Sequence, residues 1–122
     1  MITVIGLLVL LQIKHVFADY VWQTMWEITN KGTWGHAGGI VHSAKHVALS
    51  SLVLCWFVPS TGMFMMLLAT EFVLHYHIDW AKNQVLQRMA WTSAGPGYWW
   101  AMGTDQMLHQ LCYLLMAGWA LA

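Results

Sequence analysis

The sequence predicts an all-α fold: an integral membrane bundle of four antiparallel helices with a polar His/Asp site near its cytoplasmic end. Three observations lead there. Hydrophobic residues make up 59% of the 122 and charged residues 8%, against about 25% charged in an average soluble domain. A soluble chain this small could not hide so much apolar surface. The apolar residues fall into four segments, each near the ~20 residues that span a hydrocarbon core. Each segment also carries one pair of metal-ligand residues spaced i, i+4, namely His15/Asp19, His42/His46, His75/Asp79 and Asp105/His109.

The first helix is expected over about residues 2–22. Its start, MITVIGLLVLL, lacks the basic region of a signal peptide and no clean small-residue cleavage site follows, so it reads as the first half of a retained membrane helix. The second helix runs over about 38–58 and stops before Pro59. The third covers about 62–80 and the fourth about 105–122, all within a single domain over 1–122. Two connections, 29–35 and 81–103, read as long polar loops, and the Pro59-Ser-Thr-Gly62 turn is short and uncharged. In an antiparallel bundle both long loops lie on one side. Lys31, Lys82 and Arg88 fall there, and the positive-inside rule makes that side cytoplasmic. Most of the nine tryptophans sit near these loops, as expected at headgroup level.

Formal net charge is zero, so nothing points to nucleic acid. The expected partner is membrane lipid, and an oligomer is left open. Cys55 and Cys112 form no motif, and disulfide or free thiol stays undecided. The nine methionines read as core filler.

The ligand pairs define the site. Residues four apart on a helix share one face at about 5–6 Å, the spacing by which one helix grips one metal ion. The antiparallel order brings all four pairs to one depth. An Asp at the bilayer centre costs roughly 2.5–3.5 kcal/mol, so these residues require mutual pairing or a bound cation. A plain intrahelical Asp–His hydrogen bond explains any single pair; four pairs at one depth favour a metal. Eight ligands, His15, Asp19, His42, His46, His75, Asp79, Asp105 and His109, exceed the four or so that one zinc takes. Two ions side by side are favoured, with one ion backed by several Asp as the alternative. Imidazole and carboxylate without thiolate suit zinc first, then iron or manganese. Glu71, one turn before His75, is a further ligand or a general base. Lys45 and Lys82 are candidates to hold a substrate anion, and Gln23 and Gln106 to orient ligands. His36 and His77 fall outside the pairs.

The segments His15-Val-Phe-Ala-Asp19-Tyr-Val-Trp-Gln23, His42-x-x-x-His46, His75-Tyr-His-Ile-Asp79-Trp-Ala-Lys82 and Asp105-Gln-Met-Leu-His109 resemble a family of small bacterial and phage membrane proteins catalogued as a domain of unknown function. The resemblance spans nearly the whole chain and extends distantly to predicted inner-membrane metal-dependent hydrolases. It implies a metal-binding protein of the bacterial inner membrane, or of the host membrane for a phage protein, and brings no established activity. The residues themselves point to metal-assisted hydrolysis of a phosphoester or lipid headgroup, with water activated near neutral pH. A di-iron oxidase acting on lipid and a non-catalytic metal carrier or channel component are the alternatives.

Overall fold

The computed structural model describes residues 2–121. Helix α1 (Ile2–Val16) runs directly into a π-helical turn (Phe17–Val21). Then come α2 (Met25–Asn30), α3 (Ala37–Leu54), α4 (Thr61–Arg88) and α5 (Pro96–Ala120). Among the described residues there is no strand, so the all-α expectation holds, with five helices in place of four.

The differences from the expected elements have local causes. Helix α2 fills part of the first connection because Thr24 and Glu27 form a capping box. The Thr24 hydroxyl accepts from the Glu27 N–H at 3.3 Å, and Glu27 Oε2 accepts from the Thr24 N–H at 2.6 Å, which satisfies two donors that a helix start otherwise orphans. The second connection is much shorter than expected. Helix α4 continues past Trp80 because Ala81–Arg88 is rich in good helix formers. Helix α5 begins at Pro96, since proline at the first helical position gives up an N–H that would have no partner there. Between them, α4 ends in a Schellman motif. The Trp91 N–H bonds to the Leu86 carbonyl at 3.0 Å and the Ala90 N–H to the Gln87 carbonyl at 3.2 Å, with Ala90 at φ +50°.

Helix α1 packs on α3 and α5, α3 on α4, and α4 on α5, while α2 lies against α3. The four long helices thus close a ring. Leu7 and Leu11 of α1 meet Leu54, Leu67, Tyr113 and Met116 in one buried apolar cluster. This joins the start of α1 to the end of α3, the start of α4 and the end of α5, so sequential helices are antiparallel. Each buried stripe changes character along its length. On α4 it reads Leu67, Glu71, His75, Asp79, and on α5 it reads Met116, Tyr113, His109, Asp105.

Polarity is distributed inside out. Of the ten charged side chains only Arg88 is exposed, and all five carboxylates are buried. Meanwhile Ile13, Val21, Leu52, Trp56 and Trp100 are each more than 60% exposed. Charged residues are almost never fully buried unless paired. Thr3–Val21, with mean hydropathy 1.7, is the one stretch among the described residues long and apolar enough to cross a membrane by its own composition. The other long helices miss that standard because their buried polar stripes lower the average. Two of the three cations expected in the loops are paired inside the bundle. Lys31 is buried against Asp79 and Lys82 bridges two carboxylates, which leaves Arg88 as the only free cation of the three.

Candidate metal centre

The helical period brings residues 15 and 19, 42 and 46, 75 and 79, and 105 and 109 to the inside of the ring, and all eight are at most 9% exposed. Five imidazoles cluster there, each ring tilted against its neighbours. Ring centroids are 3.8 Å apart for His46 and His75, 4.2 Å for His75 and His109, 4.8 Å for His42 and His46, and 5.1 Å for His15 and His109.

The eight residues meet on different terms. Asp19 Oδ1 lies 2.9 Å from His46 Nε2 and 3.1 Å from His42 Nε2, and Asp79 Oδ2 lies 3.2 Å from the same His42 nitrogen and 3.5 Å from His75 Nε2. These separations match those between ligands of one ion, because donors about 2.0–2.2 Å from a common centre stand a little over 3 Å apart. Two groups have ligand atoms mutually within 4.8 Å: Asp19, His42, His46 and His75, and then His75, Asp79 and His109. Both groups have the donors and the spacing to hold a metal ion, and they share His75.

Hydrogen bonding separates ligands from supports. Nδ1 of His42, both ring nitrogens of His75 and Nε2 of His109 are buried without a hydrogen-bond partner, while His42 Nε2 sits between the Asp19 and Asp79 carboxylates. A buried polar atom left unpaired costs about 1–3 kcal/mol, a cost that an ion held by these residues would offset. His109 donates from Nδ1 to the Asp105 carbonyl at 2.8 Å, which sets its tautomer and turns the Nε2 lone pair to the cluster.

His15 is different. Its Nε2 donates to Gln106 Oε1 at 3.0 Å, beside Asp19 Oδ2 at 3.2 Å, and its Nδ1 accepts from the Tyr113 hydroxyl at 2.9 Å. With both nitrogens engaged, His15 stands behind Asp19 and orients it. Asp105 also stands outside the two groups. One of its oxygens takes Lys82 at 3.2 Å and a hydrogen bond from Gln106 at 3.1 Å, and the other is unpartnered.

The three residues expected to do chemistry are placed as follows. Glu71 forms a buried ion pair with Lys14, whose ammonium also lies 3.4 Å from the His46 carbonyl and 3.5 Å from its Nδ1. Lys82 bridges Asp79 and Asp105 at the edge of the cluster. Lys45 is drawn away from the cluster to Glu27 at 2.8 Å and the Trp22 carbonyl at 3.0 Å. Burial raises the affinity of the Glu27 carboxyl for a proton, but hydrogen bonds from Lys45 and Thr24 outweigh it and hold the group below the usual carboxylate range. Gln23 carries Lys31 at 2.8 Å and binds the Asp19 carbonyl. His36 caps α3, and His77 faces outward against Trp34.

Lys14 and Tyr113 went unread in the sequence. A lysine inside an apolar helix is itself a signal, and Tyr113 follows His109 by one helical turn.

These features define an all-α protein with a buried His/Asp centre suited to a metal ion. Residues 7–121 match the family described as "Protein of unknown function (DUF3307)", and the chain belongs to that family. No curated protein and no solved structure matches it.

Proposed function

We propose that this protein is a membrane-embedded metalloenzyme that hydrolyses a phosphoester of a lipid headgroup. The observation that carries the reading is the set of partnerless ring nitrogens of His42, His75 and His109, buried beside two carboxylates inside a protein whose exterior is apolar. The inside-out polarity favours a bilayer around all four long helices. The polar stripes of α3, α4 and α5 face one another, so lipid meets the apolar faces, and backbone polar groups are satisfied within each helix.

Asp19, His42, His46 and His75 would hold a divalent transition metal, zinc by ligand type. Lys31 and Lys82 already neutralise Asp79 and Asp105; adding a second divalent ion beside these ammonium groups would leave a large excess of buried positive charge, so one ion fits better than two. Such an ion supplies Lewis-acid activation of water near neutral pH. An ammonium has three donors. Lys82 directs two to Asp79 and Asp105, which leaves one for a phosphate oxygen. The partnerless Asp105 oxygen would take a proton from the attacking water. Glu71 is engaged by Lys14, holding that ammonium against His46 rather than serving as base, and Lys45 anchors α2.

Protein purified in detergent without chelator should carry about one zinc per chain and release phosphate from a lipid phosphoester. Asp105→Asn should abolish turnover and keep the metal. Metal-free wild-type protein that is still folded ends this reading. A second reading has one specific support: His75, Asp79 and His109 form the two-His, one-carboxylate set that suits iron in oxygenases. Iron in place of zinc, with its visible absorption, would select a lipid oxidase.

A further inference from the structure

The α4/α5 seam carries a groove of about 500 Å³ on the outer surface of the ring. Its walls are apolar, with Ile78 and Val85 of α4 facing Ala101 and Leu108 of α5, and Trp91 and Trp100 at one end. Two polar members of the candidate centre, Lys82 and Asp105, line the same groove. A second hollow on this seam shares Leu74 with the first and continues to Trp119. Together the two run alongside α4 from Ala69 to Val85, about 24 Å at 1.5 Å per residue.

We infer that this groove seats one acyl chain of an anionic phospholipid, with the phosphate at Lys82. This deepens the proposed function and rests on it for the reaction, but the binding stands on its own observations. The length exceeds the ~15 Å of hydrocarbon in one leaflet, half of the ~30 Å core, so a whole chain and its headgroup fit along it. The one ammonium in the groove lies at its tryptophan-rich end, and tryptophan sits at headgroup level. Apolar walls with a few convergent polar groups are the usual make-up of a ligand site, and the volume lies in the usual range. Val85 and Leu108 of the groove wall and Val73 of the second hollow are themselves exposed at the surface. A lipid can therefore slide in from the bilayer without leaving it.

The test is native mass spectrometry of delipidated holoprotein in detergent, titrated with dioleoyl phosphatidylglycerol. Ala81→Trp and Ala101→Trp fill the groove from positions that are not deeply buried, and Ala48→Trp on exposed α3 surface is the control. The expected result is one tightly held lipid per chain in wild type and in Ala48→Trp. Binding should be at least tenfold weaker in the two groove variants, with bound metal unchanged. Dioleoylglycerol, which lacks the phosphate, should also bind at least tenfold more weakly. Groove variants that bind like wild type, a control that weakens equally, or equal binding of dioleoylglycerol would each overturn the proposal. Groove-dependent lipid binding by a protein that holds no metal would support the groove and overturn the metal reading alone.

Discussion

Lys14 of α1 and Glu71 of α4 form an ion pair across the ring, both at most 5% exposed, and the same ammonium reaches the backbone of His46 on α3. Three helices therefore meet at one charge. Removing one partner of a buried pair typically costs about 3–5 kcal/mol, because the other is left uncompensated, whereas replacing both with apolar residues is often neutral. Lys14→Met and Glu71→Leu should each lower the thermal midpoint in detergent sharply, and the double variant should recover most of the loss. Additive losses in the double variant would show that the two residues act separately.

The hydrogen bonding separates His75 from His15. His75→Ala should abolish metal binding. His15→Gln should weaken it about 10–100-fold, as is typical for residues that orient ligands. His77→Ala, on the outer face of the same helix, should leave it unchanged. Competition with a chromophoric chelator ranks all three.

Metal bound to the folded state stabilises it by mass action. Chelation should lower the thermal midpoint, and stoichiometric zinc should restore it. The shift should vanish in His75→Ala, whose midpoint should not respond to chelator.

Ala90 holds a left-handed conformation at φ +50°, where an L side chain costs roughly 1–2 kcal/mol and glycine does not. Ala90→Gly should stabilise the protein by about 1 kcal/mol, seen as a higher midpoint with unchanged metal content.

Glu27 supplies a pH dependence whose sign is set by its lowered proton affinity. Its stabilising contribution is complete above the ordinary glutamate value of about 4.3 and fades as pH falls through the lower value of the folded state. The midpoints of wild type and Glu27→Gln should differ at pH 7 and converge in acid. A constant difference across that range would show that the Lys45–Glu27 pair contributes nothing through charge.

The eight clustered residues were legible because a period of four maps directly onto one face of a helix, and four such faces can meet only inside a bundle. What the period could not show was who stands behind whom. His15 reads like a ligand until Tyr113 and Gln106, both on α5, occupy its nitrogens. Lys14 stayed hidden because its partner lies 57 residues away. Lys45 looked like a substrate contact, yet Glu27 holds it in a short helix that a polar stretch concealed. The connection over 81–103 misled for another reason. Gly95-Pro96-Gly97 reads as a breaker, but the proline opens α5, and Gly97 has no Cβ because one would sit 2.4 Å from the Trp91 ring.

The buried charges also have an order in time. A ribosome makes the chain from the N-terminus, and in the long helices after α1 every acid emerges after its lysine. Lys14 precedes Glu71, Lys31 precedes Asp79, and Lys82 precedes Asp105. A waiting lysine can stretch its stem and keep its head in water, which a short aspartate cannot do. These three carboxylates thus find a counter-ion already made. Reversing these pairs, with Asp at 31 and Lys at 79, would preserve the charges of the finished fold but leave a short acid waiting for its partner during assembly.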